Sequence, residues 1–301
     1  MVDLRSNDLE RLRMKMRLDC IPCLQRQALQ GAAMATCDQA VMEKIMGEVM
    51  RELMTTDWTA KPHVIGRKVD KIVRVVTGID DPHKEAKKKH NDLALSLYSK
   101  LSAMTSDSEN PLFTAVKLAI AGNIIDLGAL SEFDLDKTIR EVMNKGFAID
   151  DFKTLKHKLH DAKSMLYIAD NAGEIVFDKL LIETMMTISK LQQVTFVVKG
   201  GPIINDATLK DAHDVSLTNL PNIKFFTVSN GAPGTGPDRD SPEFLEMLKT
   251  ADLNIAKGHG NYEALSEQQN IFFLLMAKCP VVAGDLGVHI GDMVLKWSDR
   301  S

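Results

Sequence analysis

Four loops of this sequence combine charged or amide side chains with glycine, and each loop follows a short apolar segment. The loops begin with Asp170-Asn171, Lys199-Gly200-Gly201, Ser229-Asn230-Gly231 and Lys257-Gly258-His259-Gly260-Asn261. If the apolar segments are strands of an open α/β sheet, ligands bind outside their carboxyl ends, and the four loops converge on one crevice. Helix caps and tight turns also select Asp, Asn and Gly, so a single loop would be weak evidence for a binding site. The prediction of a ligand-binding crevice depends on all four loops together.

The oxygen-bearing side chains of these loops are typical of a divalent metal site. Asp170 and Asn171 offer a carboxylate and an amide carbonyl, and Asp206 follows the next predicted strand. Hard oxygen donors of this kind suit Mg²⁺ or Mn²⁺, which share their coordination with substrate phosphate. The competing interpretation is that Asp170 and Asn171 cap a helix that begins near Glu174.

Two lysines, Lys199 and Lys257, end predicted strands and are followed by glycine. Glycine lets the backbone approach an anion closely, while the ammonium group supplies charge. Together with the Asp and Asn side chains, the two lysines therefore predict a phosphate pocket, and we expect Lys257 to face it with little packing of its own. Each lysine alone would be interpreted as a solvated surface residue.

A polar pair also interrupts an apolar segment of the helical half. Asn123 and Asp126 lie three residues apart, on one face of a predicted helix, within a segment that begins at Ala115. Buried polar groups need partners, so the pair is either a structural hydrogen-bonded pair or part of a binding site.

Cys20 and Cys23 have the spacing of a zinc or redox motif. No second pair with this spacing exists among the four cysteines, which argues against a structural zinc site. We therefore expect two cysteines on or beside an N-terminal helix, as either packing residues or a redox dithiol.

Two kinds of element must position these residues. Up to about residue 160, apolar residues recur at intervals of three and four, which predicts helices separated at prolines 62, 82 and 111. From 164 onward the pattern predicts strands at 165–169, 194–198, 223–228, 253–256 and 271–276. We therefore predict an α/β protein with a mainly α-helical portion over 1–160, and a three-layer α/β/α Rossmann-like portion with a mainly parallel sheet over 161–301.

The composition, with 45% hydrophobic and 26% charged residues, excludes a disordered chain. A formal net charge of −4 gives no broad cationic field, so we expect neither nucleic acid nor a membrane as partner. No segment approaches the roughly 18 to 20 apolar residues of a membrane span, and the first residues lack the apolar centre of a signal peptide. We expect a cytoplasmic protein with reduced cysteines.

Seven motifs follow one another along nearly the whole chain. They are Cys20-Ile-Pro-Cys23, Asp81-Pro82-His83-Lys84, Gly122-Asn123-Ile-Ile-Asp126, Asp170-Asn171-Ala-Gly173-Glu174, Lys199-Gly-Gly-Pro202-Ile-Ile-Asn205-Asp206, Lys257-Gly-His-Gly-Asn261-Tyr-Glu263 and Lys278-Cys-Pro-Val-Val-Ala283. In this order they resemble the DUF89 family of damage-control phosphatases, specifically its archaeal and bacterial subfamily with an N-terminal CxxC. His259 stands where family members often have Gln, which affects substrate preference rather than reaction class.

The resemblance implies a phosphatase of small phosphorylated metabolites that depends on a divalent metal ion, Mn, Mg, Co or Ni. It implies that Asp170, Asn171 and Asp206 hold the metal. It also implies that Lys257 meets the phosphate and that Asn123 and Asp126 line the same pocket. On this basis the predicted catalytic residues are Asp170, Lys257, Asn123 and Asp126, and the predicted substrate-binding residues are Gly122, Asn123, Glu174, Lys199, Lys257, Gly258 and Asn261.

Hydrolysis of phosphomonoesters by in-line attack of water is the leading hypothesis, ahead of an aspartyl-phosphate formed on Asp170. The alternative is a non-catalytic protein that binds a phosphorylated metabolite. A methyltransferase is disfavoured, because the loop after the first predicted strand is acidic rather than a glycine-rich cofactor turn. The loop 229–238, rich in glycine and proline, is either a connector or a substrate-covering loop.

Overall fold

The computed structural model describes residues 14–122, 132–232 and 236–299. The α-helices of these ranges are α1 (Cys20–Ala35), α2 (Gln39–Met54), α3 (Pro62–Thr77), α4 (Lys84–Ser106), α5 (Pro111–Gly122), α6 (Glu132–Asn144), α7 (Phe152–Asp161), α8 (Glu174–Ile188), α9 (Leu209–Asp214), α10 (Pro242–Thr250), α11 (Gly258–Leu265) and α12 (Pro280–Leu286). The strands are β1 (Phe147–Asp150), β2 (Ser164–Ile168), β3 (Gln193–Lys199), β4 (Ile223–Val228), β5 (Leu253–Lys257), β6 (Ile271–Met276) and β7 (Met293–Ser298).

These strands form one sheet in the order β1-β7-β6-β5-β2-β3-β4. Strand β6 pairs with β7 in the antiparallel direction, and the other neighbouring pairs are parallel. The predicted α/β fold with a mainly parallel sheet is thereby confirmed. Strands β5, β2 and β3 are adjacent and parallel, so the loops after them meet at one edge of the sheet.

All five predicted strands are present, with bounds shifted by at most one residue. The sequence pattern found them because helices cover both faces of the sheet, so that central strands become continuous apolar segments. Every residue of β6 is buried, as is every residue of β5. Strands β1 and β7 were not predicted, and β1 lies within the segment that was predicted to be helical.

Two hydrophobic cores lie on the two faces of the sheet. Successive strand residues point to opposite faces, so Tyr167 belongs to one core and Ile168 to the other. One core includes residues of α4, α5, α7 and α8, and the other includes residues of α1, α2, α3, α10 and α12. Helices from the first half of the chain therefore cover both faces, which completes a three-layer α/β/α arrangement.

The predicted boundary at residue 160 falls within α7, and the strand before it, β1, pairs with β7. The helical first half therefore shares both cores with the sheet. Two of the predicted helix breaks begin helices, since α3 starts at Pro62 and α5 at Pro111, where proline fits the first turn. In the part of the chain that the structure describes, no helix has the length and apolarity to cross a membrane.

Candidate active site

A short backbone bridge joins the loops that follow β2 and β3. The bridged residues are Asn171 and Asp206, which pair in the antiparallel direction. The N–H of Ala207 donates to the carbonyl oxygen of Asp170 at 2.8 Å. The three residues predicted to hold a metal thus stand on two loops that main-chain hydrogen bonds fix to each other.

Neither Asp170 nor Asn171 is the N-cap residue of the following helix. Helix α8 begins at Glu174, and its N-cap residue is Gly173, which has no side chain to accept a capping hydrogen bond. Instead, Asn171 Nδ2 donates to Asp170 Oδ2 at 2.8 Å and to Glu174 Oε2 at 3.1 Å. The interpretation of this pair as a helix cap is therefore wrong.

Negative charge is crowded around Asp170. Burial, together with the Glu174 and Asp206 carboxylates, raises the pKa of Asp170 well above its ordinary value. A divalent cation would offset this repulsion, and two carboxylates with an amide oxygen are donors that such a cation accepts. Across 14–122, 132–232 and 236–299, no three His, Cys, Asp or Glu side chains form a metal-binding group. Three oxygen donors leave coordination positions open, so the donor set of Asp170, Asn171 and Asp206 suits a cation that keeps several waters, as Mg²⁺ does.

Gly258 makes room for the Asp170 carboxylate. A Cβ at position 258 would lie 1.8 Å from Asp170 Oδ2 and 2.4 Å from Cγ. Gly258 also has a φ of +75°, in the left-handed region that favours glycine. Glycine is thus required here both by the backbone conformation and by the close approach of the carboxylate. Its predicted contact with substrate stays a prediction.

The Lys257 side chain is fully buried, and its ammonium group has three partners. It donates to the carbonyl oxygen of Ala119 at 2.8 Å, to Glu174 Oε1 at 2.7 Å and to Asp178 Oδ1 at 2.6 Å. An ammonium group has three N–H donors, and these contacts use all of them. The expectation that Lys257 faces the crevice with little packing is therefore wrong, and a phosphate contact would require it to exchange a partner.

A buried network extends from this lysine to the centre of the sheet. The Tyr167 hydroxyl donates to Asp178 Oδ1 at 2.7 Å. Burial raises the pKa of Asp178 to about 6, although the Lys257 charge acts in the opposite direction. Burial acts to lower the pKa of Lys257, but the Asp178 and Glu174 carboxylates outweigh it and raise that pKa above its ordinary value. The network therefore holds the first turns of α8 against the end of β5.

A cavity of about 280 Å³ opens beside Asp170 and Asp206, and Lys199 lines it. The Lys199 ammonium nitrogen lies 3.3 Å from Asp206 Oδ2. Burial, and then the charge of Arg239, lowers the pKa of Lys199 to about 7. Lys199, which the sequence predicted to bind substrate, thus reaches the cavity beside Asp206, a predicted metal ligand.

Two arginines that the sequence analysis did not single out also line this cavity. Arg67 comes from α3, and Arg239 directly follows the loop 229–238. Burial lowers the pKa of Arg239 to about 10, although the Asp206 carboxylate acts to raise it. The position of Arg239 after a glycine- and proline-rich loop is the sequence signal that could have found it.

His63 and Glu263 lie next to each other on the cavity wall, and both side chains are ionisable. Glu263 Oε2 lies 3.8 Å from His63 Nδ1. Burial raises the pKa of Glu263 to about 7, and burial together with nearby arginines lowers the pKa of His63 to about 2. The histidine is therefore neutral near pH 7, and Glu263 is partly protonated.

Gly122 packs against an aromatic ring of α8. A Cβ at position 122 would lie 2.9 Å from Phe177 Cδ2, so a larger residue would force α5 and α8 apart. Asn123 and Asp126 lie outside the residues that the structure describes, so their predicted roles stay predictions.

Asn261 and Glu174, both predicted to bind substrate, are buried and bonded to the protein. Asn261 Nδ2 donates to the carbonyl oxygens of Lys257 at 2.7 Å and Ala169 at 3.0 Å. Asn261 thereby joins the ends of β5 and β2, and Glu174 accepts from Lys257. These contacts indicate that both residues position the loops of the site, and their contact with substrate stays a prediction.

Cys20 and Cys23 occupy the first turn of α1, which confirms their predicted place on an N-terminal helix. Both thiols are free and both line the cavity. Burial raises the pKa of each thiol. A thiol with a raised pKa stays protonated at neutral pH, which argues against a reactive dithiol.

This chain is similar to known proteins over nearly its whole length. The family model of the damage-control phosphatase ARMT1-like domain matches residues 16–294. A damage-control phosphatase of Pyrococcus horikoshii is 36% identical over 289 residues, which cover 93% of this chain and 97% of the relative. A damage-control phosphatase of Archaeoglobus fulgidus is 32% identical over 292 residues, which cover 94% of this chain and 99% of the relative.

A solved structure is similar over nearly the same length. The crystal structure of a DUF89 family protein from Pyrococcus horikoshii has a TM-score of 0.84 to this chain and 35% sequence identity. The likeness covers 95% of this chain and 100% of that one. Because the family match, the relatives and the solved fold all extend over most of the sequence, the chain belongs to the DUF89 family of damage-control phosphatases.

Proposed function

We propose that the chain hydrolyses phosphomonoesters of small metabolites and that the reaction depends on one divalent cation. The observation that carries the proposal is the bridge between Asn171 and Asp206, which sets the carboxylates of Asp170 and Asp206 beside a cavity that Lys199 also lines. Two relatives are named damage-control phosphatases, which supports damaged phosphometabolites as the substrate class.

Oxygen atoms of Asp170, Asn171 and Asp206 would hold the cation, which when bound polarises a phosphoryl oxygen and neutralises its charge. Lys199, 3.3 Å from Asp206, neutralises charge on the transferring phosphoryl group. Water attacks phosphorus in line, and the bond from phosphorus to the ester oxygen breaks. The products are inorganic phosphate and an alcohol, and the proton released by the attacking water balances the one that the alcohol takes up.

Asp170 acts as a cation ligand rather than as the nucleophile. Its carboxylate is held by Asn171 Nδ2 on one side and lies against the Gly258 backbone. A carboxylate that is fixed in this way is suited to holding a cation, and the proposed site already needs Asp170 as a ligand. Water is therefore the nucleophile in this proposal.

Lys257 acts through its neighbours. Its ion pairs with Glu174 and Asp178 join α8 to the end of β5. Because α8 directly follows the loop of Asp170 and Asn171, these ion pairs keep that loop in place. We assign Lys257 a positioning role, with Lys199 as the basic group that meets the phosphoryl oxygens.

Release of inorganic phosphate tests the proposal directly. A panel of sugar phosphates and nucleotides is incubated with the protein and Mn²⁺, Co²⁺, Ni²⁺ or Mg²⁺, with a chelated sample as the control. We expect phosphate release that the chelator abolishes. No release from any ester, with ligand binding retained, would support the alternative of a non-catalytic phosphometabolite-binding protein.

Calorimetry tests the metal ligands without relying on turnover. We expect Asp170→Asn and Asp206→Asn each to weaken Mn²⁺ binding by roughly 100-fold, because each removes a ligand charge. Asp252→Asn is the matched control, since Asp252 accepts backbone N–H groups at the opposite end of β2. Equal Mn²⁺ affinity in all three variants would contradict the proposal that Asp170 and Asp206 bind the metal ion.

A further inference from the structure

Arg239 is a buried cation in the wall of the cavity. Only 8% of the residue is exposed. Its Nε atom is buried and has no hydrogen-bond partner within the part of the chain that the structure describes. Burying a charged group is costly unless the group is paired. The guanidinium group is therefore suited to an anion that comes from outside the chain.

Arg67 reaches the same cavity from α3. Its Nη1 atom lies 3.5 Å from Asp238 Oδ1, and 60% of the Asp238 side chain is exposed, so solvent screens this ion pair. A Cβ at Gly231 would lie 3.4 Å from Arg67 Cδ, so Gly231 packs on the Arg67 side chain. Helix α3 and the residue that directly follows this loop thus supply two guanidinium groups to one cavity.

The proposed reaction uses one divalent cation and Lys199 as the positive charges that meet the scissile phosphate. The cavity wall also contains Arg67 and Arg239, together with the carboxyl groups of Asp19 and Glu263. Neither arginine has a role in the proposed reaction. The two guanidinium groups are therefore available to a further anionic group of the substrate.

The shape of the cavity fits a compact substrate. Its volume is about 280 Å³, and its wall includes the apolar side chains of Leu24, Ile203 and Val281. These side chains can cover a short carbon frame, while the guanidinium groups bind a planar or tetrahedral anion through paired N–H donors.

We propose that Arg239 and Arg67 form a second anion subsite, so that the protein prefers phosphomonoesters carrying a further anionic group, a carboxylate or a second phosphate. The proposal rests on the phosphatase function proposed above. It adds a substrate class and two specificity-determining residues that the family motifs in the sequence do not include.

Phosphonates test the proposal by binding alone, because they are not hydrolysed. Calorimetry with the Mn²⁺-loaded protein compares methylphosphonate, phosphonoacetate and methylenediphosphonate, which carry no second anion, a carboxylate and a second phosphoryl group. We expect the wild type to bind one or both of the last two about 10- to 100-fold more tightly than methylphosphonate, the range of a charge-assisted contact. The tighter of the two identifies which anion the subsite takes.

Arg239→Gln should remove most of this preference while changing methylphosphonate affinity by less than about threefold. Arg239→Lys should retain part of the preference, because it keeps the charge and loses the paired donors. Arg67→Gln should reduce the same preference and provides a second test if Arg239→Gln does not fold. The control is Arg51→Gln, which removes an exposed arginine of α2 that pairs with Glu48.

Two outcomes would overturn the subsite. The first is a wild type with no preference among the three phosphonates. The second is an Arg239→Gln variant that loses affinity for all three equally, which would assign Arg239 to the scissile phosphate. Phosphate release from the panel of sugar phosphates and nucleotides is measured in parallel on the wild type. Its absence with every ester would contradict the phosphatase function, while the binding preference among the phosphonates would still test the anion subsite.

Discussion

The backbone of Gly258 contacts the carboxylate of Asp170 so closely that no other residue fits at position 258. A Cβ there would stand 1.8 Å from Asp170 Oδ2. We expect Gly258→Ala to displace the carboxylate and to weaken Mn²⁺ binding by about tenfold or more, comparable to the loss of a partner that orients a ligand. Calorimetry with Mn²⁺ measures the effect.

Gly287→Ala is the matched control for this substitution. Gly287 has a φ of +69°, similar to that of Gly258, but nothing lies within 4 Å of the position that its Cβ would take. Both variants bear the cost of a side chain in the left-handed region, about 1 kcal/mol. Only Gly258→Ala should weaken Mn²⁺ binding, and an equal effect of the two would show that backbone strain alone is responsible.

Lys257→Ala should lower both stability and activity. Removing the ammonium group leaves the carboxylates of Glu174 and Asp178 buried together, and breaking a buried ion pair costs about 3 to 5 kcal/mol. Urea unfolding, monitored by circular dichroism, gives the change in free energy of unfolding. Lys88→Ala, which breaks an exposed pair with Asp92, should leave stability close to that of the wild type. Wild-type stability in Lys257→Ala would contradict the network.

Glu263 should make the protein less stable as pH rises. Its pKa is raised from 4.5 to about 7 by burial, so between these values the folded state binds more protons than the unfolded state. The free energy of unfolding therefore falls as pH rises from about 4.5 to about 7, and the loss is complete above the folded-state pKa. Glu263→Gln should flatten this part of the stability profile, which urea unfolding at several pH values measures. If the slope of stability against pH were the same in Glu263→Gln and the wild type, the Glu263 carboxyl would be solvated rather than buried in the folded protein.

Cys20 and Cys23 should bind no structural zinc. Only two further cysteines exist, and neither has paired spacing. Burial also keeps both thiols protonated, whereas zinc is bound by thiolates. We expect less than stoichiometric zinc after dialysis, by metal analysis, and the same content in Cys20→Ser. Stoichiometric zinc that is lost in Cys20→Ser would contradict this.

The sequence predicted the strands of the site because their pattern is strong. Central strands buried on both faces appear as continuous apolar segments, and the polar residues that follow them mark the edge where ligands bind. The prediction that Asp170 and Asp206 lie together followed from this rule and agreed with the family resemblance. Strand β1 was missed because it has four residues with alternating burial, too few to show a period.

The environment of each side chain was harder to predict than its place in the chain. Lys257 and Lys199 both end a strand and precede a glycine, yet one has three buried partners and the other lines the cavity. The difference comes from Glu174 and Asp178, whose orientation depends on how α8 packs on β5. Such contacts between distant segments leave no local pattern in the sequence.

The sharing of both cores between the first half of the chain and the sheet limits how relatives of this protein can be recombined. A chimera that joined the helices of one relative to the sheet of another would replace two packing surfaces at once, one on each face. Its cavity would also combine Arg67 from one parent with Arg239 from the other. Exchange of residues 229–239 together with α3 takes both arginines, and the contact of Arg67 with Gly231, from a single parent, and is therefore the smallest exchange suited to transferring substrate preference.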